Sequence, residues 1–194
     1  MVILGLTGSI AMGKSTVAAM FRAEHVPVFD ADATVHRLMA PGGAAVTSVA
    51  RAFPESLKGD AIDRKVLGSL VFGHTSRLKV LEGIIHPLVA RERGRFLGLM
   101  RRQRRRLVVL DIPLLFEARR ARLCDVVAVV SAPRWHQRHR LHHHRGMTAA
   151  RARAILSAQM PDALKRRKAD IVIHTGVSLW ATRRQVRRIV GRLG

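Results

Sequence analysis

The chain of 194 residues has one cysteine, no tyrosine, two tryptophans and only 13 acidic residues. A single cysteine, Cys124, excludes an intramolecular disulfide, and no activating partner accompanies it in the sequence. It reads as packing, in a reducing, cytoplasmic setting. No apolar run approaches the ~18 residues of a membrane-spanning helix, and no basic leader with an apolar core precedes the first apolar stretch, so no membrane partner is expected. The shortage of acids leaves a formal charge of +22. Its placement is uneven. The first 50 residues hold Lys14, Arg22 and Arg37 against Glu24, Asp30 and Asp32, and the rest carries 32 basic groups against 10 acidic ones. Such an excess attracts polyanions or keeps a protein soluble. Proteins that bind single-stranded nucleic acid mix stacking aromatics into their basic runs. Here only Trp135 stands among the arginines, so nucleic acid is not the expected partner.

What the sequence does have is Gly8-Ser9-Ile10-Ala11-Met12-Gly13-Lys14-Ser15, a match to G-x-x-x-x-G-K-[ST]. The apolar run Val2-Ile3-Leu4-Gly5-Leu6 precedes it, and an amphipathic helix from Ser15 to Glu24 follows. A glycine loop between a buried strand and a helix N-terminus aims backbone N–H groups at one spot, where the helix dipole also favours negative charge. Phosphate fits there. Lys14 would reach the β- and γ-phosphates of a nucleotide, and the Ser15 hydroxyl would sit on the bridging magnesium ion. Thr16 caps or packs in the first turn.

Further along, Val26 to Phe29 reads as a second strand ending in Asp30-Ala31-Asp32, at the edge where open α/β sheets bind ligands. If the extended conformation continues, the two aspartates point to opposite sides. Asp32 has two readings, a ligand-facing carboxylate or the cap of a helix starting near Ala33. From Thr34 to about Gln103 the pattern is helical and without strands. It has a turn at Pro41-Gly42-Gly43, helices at 44–53 and 63–72, the second capped by Asp63, and a longer one from Ser76 interrupted at His86-Pro87. Such an insertion into an α/β protein reads as a helical subdomain for a second substrate. The strand Leu107 to Leu110 ends in Asp111, whose carboxylate would orient magnesium through water. Ile112 to Glu117 turns sharply at the same strand end, its apolar residues packing beneath the site, and Glu117 reads equally as a surface residue at a helix start. After a strand at 125–132, the arginine-dense segment 133–146 suits a lid closing over phosphates. Its five histidines lack acidic or cysteine companions, so no metal is assigned to them. Helices at 148–159 and 161–168, a strand at 170–173 and a final amphipathic helix complete the chain. Arg183, Arg184, Arg187 and Arg188 lie on the solvated side of that last helix.

These residues together resemble the dephospho-CoA kinase family over nearly the whole chain. The resemblance rests on GLTGSIAMGKSTVA from Gly5, FDAD at Phe29 to Asp32, DRKVL at Asp63 to Leu67, His86-Pro87 and LDIPLLFE at Leu110 to Glu117. The spacings of Gln137 with Arg140, Gln159 with Lys165, and Ala169-Asp170 add to it. It implies an α/β, three-layer P-loop NTPase fold with a five-stranded parallel sheet. Its divisions are core segments at 1–34, 104–133 and 151–194, a helical substrate-binding insertion at 35–103 and a lid at 134–150. The implied reaction moves a phosphoryl group from ATP, with Mg2+, to the ribose 3′-hydroxyl of dephospho-CoA. Lys14, Asp32 and Arg140 are the implied catalytic residues, with Asp32 the candidate general base. Gly8, Ala11, Met12, Gly13, Lys14, Ser15, Thr16 and Arg145 would bind ATP. Asp32, Arg64, His86, Leu115 and Glu117 would bind the second substrate, and Ser15 and Asp111 the metal. Another P-loop small-molecule or nucleoside kinase is the nearest alternative, and a P-loop nucleic-acid-binding protein the alternative of another class. The sequence departs from the family at Ser9 and Ala11, where relatives have glycine, at His144, where the second lid arginine normally stands and Arg145 follows, and at Thr175 in place of asparagine. Ala11 is expected to strain the loop. Oligomeric state is not legible.

Overall fold

The computed structural model describes residues 1–118, 120–143 and 148–194, apart from the side chains of Ala149 and Arg151. In chain order the elements are β1 (Val2–Thr7), α1 (Lys14–Ala23), β2 (Val28–Asp30), α2 (Ala31–Met39), α3 (Val46–Ala52), β3 (Leu57–Lys58), β4 (Ala61–Ile62), α4 (Arg64–Val71) and α5 (Thr75–Arg102). Then come β5 (Leu107–Asp111), β6 (Val126–Ser131), α6 (Arg134–His142), α7 (Ala149–Ala158), α8 (Asp162–Lys168), β7 (Ile171–His174) and α9 (Leu179–Leu193). They form two compact units, residues 1–29 with 100–194, and residues 30–99.

The first unit is built on a parallel five-stranded sheet in the order β2-β5-β1-β6-β7. β1 lies at its centre, with Leu4 paired to Val109 on one side and to Val126 on the other. Parallel strands covered on both faces read as continuous apolar runs, and all five residues of β5 are buried. One set of alternate residues, Leu4, Leu6, Leu107 and Val109, shares a core with Val17 and Phe21 of α1 and Val186 and Ile189 of α9. The other set, Val108 and Leu110, is buried too. At Gly5 a side chain would come within 2.6 Å of Cys124 Sγ and 3.2 Å of Leu115 Cδ2, so glycine lets those residues close on the sheet. Leu115 is therefore core, 0% exposed. The substrate contact expected of its side chain is not available, because the chain turns after β5 and folds that side chain beneath β1. Two carboxylates finish the strand ends: Asp125 accepts the Ile3 N–H and Asp170 the Val127 N–H, each at 2.8 Å.

The second unit begins where β2 ends, the chain passing directly from that strand into α2. Asp30 is the N-cap, accepting the Ala33 N–H at 2.9 Å. This corrects two expectations, since Asp32 neither continues an extended strand nor caps the helix; it lies in the first turn of α2. Asp63 caps α4 as expected, accepting N–H groups from Lys65 and Val66. The Val66 and then the Lys65 backbone bonds hold its carboxyl below the usual aspartate range. The insertion is not free of strands: Leu57–Lys58 and Ala61–Ile62 form an antiparallel hairpin too short to leave a period-2 pattern. Nor is α5 interrupted at His86-Pro87; the helix runs through Pro87 for 28 residues. An interior proline costs about 3 kcal/mol. Ile85 and Val89, both buried on either side of it, each contribute about 1.5–3 kcal/mol by burial, which is enough to keep the helix whole. Among the described residues no helix is long and apolar enough to cross a membrane.

Leu115→Ala should lower stability by about 2–5 kcal/mol, the cost of a cavity in a packed core. A urea melt checks this, since a residue that served only a substrate would leave the midpoint near that of the native protein.

Candidate active site

The loop between β1 and α1 is the first part of the site. Gly13, the residue before α1, has φ +89°, a conformation that costs other residues about 1–2 kcal/mol. A side chain there would also lie 3.3 Å from both Arg140 Nη1 and Thr175 Oγ1. Ala11 has φ +60°, so the strain expected of this position is present. Five hydrogen bonds hold the loop against it. The Ile10 N–H donates to Gln159 Oε1 at 3.0 Å, and Gln137 Nε2 donates to the Ile10 carbonyl at 2.9 Å. Arg140 Nη1 donates to the Ala11 carbonyl at 3.2 Å, the Thr175 hydroxyl to the Met12 carbonyl, and the Met12 N–H to the Ser9 carbonyl. Arg140 Nη2 also donates to the Thr175 carbonyl at 2.8 Å.

Of the expected nucleotide residues, Gly8 and Met12 are buried, and Ser15 and Thr16 are exposed in the first turn of α1. Met12 turns inward, its sulfur accepting the Ala132 N–H at 3.2 Å, so it offers a ligand only backbone. First-turn amides of a helix have no intrahelical partner, which leaves the N-terminus of α1 as an anion cradle. Lys14 Nζ lies 2.5 Å from Asp111 Oδ1, and Asp111 is 3% exposed at the end of β5. The ammonium compensates a carboxylate that burial would otherwise penalise heavily. Arg145 lies outside the described residues. Of the segment expected to form a lid, residues 134–143 and 148–150 are described, and Gln137 and Arg140 tie its helix α6 to the loop.

Glu117 supports the loop indirectly. Its Oε1 lies 2.8 Å from Lys165 Nζ and accepts the Met160 N–H at 2.8 Å, next to the Gln159 that holds Ile10. Lys165 is wholly buried. Burial pushes the Glu117 carboxyl up, but the Lys165 hydrogen bond, the Glu117 and Met160 amides and the Lys165 charge outweigh it and leave the carboxyl below the usual range. Gln137, Gln159, Lys165 and Thr175 entered the sequence reading only through the family resemblance, Thr175 as a departure from it; nothing local indicated that Gln137, Gln159 and Thr175 converge on one loop.

The second unit carries a separate open cavity of about 470 Å3. Asp32, His36 and Arg64 form its polar side and Met39, Leu67 and Leu81 part of its apolar side. Arg64 Nη1 lies 3.1 Å from His36 Nδ1. Arginine only donates, so Nδ1 accepts and the ring proton sits on Nε2. Asp32 is exposed and has no hydrogen-bond or ion-pair partner among the described residues. His36 escaped the sequence reading because a histidine on an amphipathic helix carries no signal of its own. His86 is exposed on α5 and does not line this cavity.

Comparison with known proteins agrees with this geometry. The family model described as dephospho-CoA kinase matches residues 2–179. A dephospho-CoA kinase of Paramagnetospirillum magneticum is 57% identical over 86% of this chain and 78% of its own length. One of Zymomonas mobilis is 45% identical over 100% of this chain and 97% of its own. The crystal structure of a Thermus thermophilus protein superposes with a TM-score of 0.86 at 35% identity, covering 100% of this chain and 98% of that one.

Glu117→Gln leaves the buried Lys165 charge unpaired and should cost about 3–5 kcal/mol at neutral pH. A glutamate whose folded pKa is depressed adds stability above its ordinary value of 4.5 and loses it as pH falls through the folded pKa. Urea midpoints measured from neutral to acid pH should therefore fall more steeply for the native chain than for the variant. Parallel curves would assign the acid sensitivity to other groups.

Proposed function

The chain belongs to the dephospho-CoA kinase family, and we propose how its own residues divide the work of phosphorylating dephospho-CoA with ATP. The observation that carries the proposal is the braced loop. Its backbone, the α1 N-terminus and the charges of Lys14 and Arg140 meet where the phosphates of ATP would lie. Phosphoryl transfer runs through a loose transition state, so positioning and charge neutralisation dominate the catalysis. Lys14 leaves Asp111 for the β- and γ-phosphates when nucleotide enters, exchanging one anionic partner for another. Arg140 has spent two donors on the Ala11 and Thr175 carbonyls and keeps its remaining donors and its charge for the transferred group. Gly8, Ala11, Met12 and Gly13 contribute backbone. Ser15 and Thr16 present hydroxyls at the start of α1, and Arg145 supplies a further cation to the nucleotide.

The exposed Ser15 hydroxyl and the buried Asp111 carboxylate are hard oxygen donors, a set that fits Mg2+. When bound, the ion would neutralise phosphate charge. Asp111, buried at the end of β5, would then have lost the Lys14 ammonium, and a cation taking that place would restore the local balance of charge.

The second substrate occupies the cavity of the second unit. Arg64, oriented by His36, pairs with its phosphate oxygens, and the apolar wall takes uncharged parts of the molecule. Asp32 accepts the proton of the ribose 3′-hydroxyl as the new P–O bond forms. Its lack of other partners supports that role, since a carboxylate committed to a cap or an ion pair would have to give up that bond. His86 belongs to the same unit and contacts the substrate away from the cavity wall. Glu117 acts through Met160 and Gln159 on the loop.

Lys14→Ala should abolish turnover with the fold intact by circular dichroism. Asp32→Asn should lower kcat by about 10²–10⁴, the range of a general base, with little change in ATP affinity. Asp30→Ala should instead cost about 0.5–2 kcal/mol of stability. Steady-state kinetics beside thermal melts separates these outcomes, and an Asp32→Asn enzyme that lost stability but kept kcat would show that the base has been assigned to the wrong carboxylate.

A further inference from the structure

Both tryptophans of the chain lie at the surface, and the fold brings their segments together. Trp135 opens α6 and is 64% exposed, and Trp180 opens α9 and is 69% exposed. The Trp135 ring stacks on His136 at 3.5 Å between centroids, and His136 Nε2 lies 3.2 Å from the Gly176 carbonyl. Val177 and Leu179, 51% and 70% exposed, fill the short stretch between Gly176 and Trp180. Large apolar side chains exposed this far, on two segments that meet at His136 and Gly176, mark an interaction site more often than an idle surface.

The surroundings of this patch are cationic. Arg134 and Arg138 are exposed on α6, and Arg183, Arg184 and Arg188 on α9. Helical spacing sets Trp180, Arg184 and Arg188 in one outward row, opposite the buried Thr182, Val186 and Ile189. Arg184 sits over the Trp180 ring at 5.6 Å. No acidic residue occurs in 126–161 or 171–194, so these elements supply no counter-charge of their own. Glu24 of α1, which pairs with Arg187, lies farther along α9.

We propose that this face docks on an anionic phospholipid surface, with Trp135, Leu179 and Trp180 in the interfacial layer and the arginines on the lipid phosphates. Tryptophan favours that layer, where its ring is half apolar and its N–H stays wet. Basic residues beside an apolar face add attraction to acidic lipids. A second copy of the chain would bring the same cations against themselves, which like-charge repulsion opposes. Single-stranded nucleic acid would stack on open aromatic faces. Here His136 and Arg184 already occupy one face of each ring, and the exposed Val177 and Leu179 offer bases nothing to pair with. The association is peripheral: α6 also carries Gln137 and Arg140, but their side chains are engaged on the Ile10, Ala11 and Thr175 carbonyls rather than on the exposed face.

The chain provides its own probe. With two tryptophans and no tyrosine, its intrinsic emission reports on this patch alone. Full-length protein is titrated with vesicles of phosphatidylcholine, and with vesicles of phosphatidylcholine mixed with phosphatidylglycerol, while emission and co-sedimentation are followed. The expected result is a blue shift and sedimentation on the anionic vesicles only, reversed by salt. Arg184→Glu/Arg188→Glu should weaken vesicle binding by more than tenfold, since each arginine removed costs roughly fivefold, with kinase activity in solution unchanged. Absence of vesicle binding overturns the proposal. So does equal binding to neutral vesicles, binding that survives the charge reversal, or displacement from anionic vesicles by a single-stranded oligonucleotide at equal phosphate concentration.

Discussion

The peptide groups between Gly8 and Gly13 belong to neither strand nor helix, and a buried peptide group without a partner costs about as much as a lost hydrogen bond. Their partners therefore come from far along the chain. Gln137 and Arg140 reach the loop from α6, Gln159 from the segment after α7, and Thr175 from the end of β7. The bonds offset the positive φ of Ala11 as well as that of Gly13. Loop shape is consequently a property of the whole first unit. A phosphate cradle rigid before its ligand arrives does not have to be reorganised during transfer, and preorganised donors are where such sites gain most of their rate.

Acidic groups are scarce, and the structure uses most of those that bear on the fold. Asp30 and Asp63 cap helices, Asp125 and Asp170 finish strands, and Asp162 accepts from Ser131. Asp111 and Glu117 compensate Lys14 and Lys165, and Glu24 compensates Arg187. Asp32 shares with Glu55, Asp60 and Glu82 the lack of such a partner among the described residues, and of these four only Asp32 lines the cavity with Arg64 and His36, which supports its reading as the base. The same scarcity leaves most arginines solvated, so the positive charge of the surface is built into the composition and its local pattern decides where anions gather.

Much of the architecture was legible because it rests on short-range rules. Short continuous apolar runs marked β1, β5, β6 and β7, the amphipathic pattern marked α1, α3 and α9, and Asp63 announced α4. Where long-range packing overrode a local preference, the reading missed: Pro87 stays inside α5 because Ile85 and Val89 are buried beside it. Leu115 packs as the apolar turn after β5 implied, and only the glycine at position 5 of β1 shows how deeply. Asp30 and Asp32 are both plausible caps by residue type. Only the residue at which the strand gives way to helix distinguishes them, and boundaries are where local patterns are weakest.

The sequence by itself determined the chemistry on offer. G-x-x-x-x-G-K-S between an apolar run and an amphipathic helix has few uses other than holding phosphate, because spacing along eight residues fixes which amides and which ammonium converge. Tertiary structure alone decided the partners. Lys14 on Asp111, Gln159 on the Ile10 N–H, Arg64 on His36 and His136 on the Gly176 carbonyl are separated by 28 to 149 residues, and at these separations no residue's type indicates which other residue it will touch. Such pairings follow from the register of the sheet and the packing of helices on it, which are set by the burial of the whole apolar set at once.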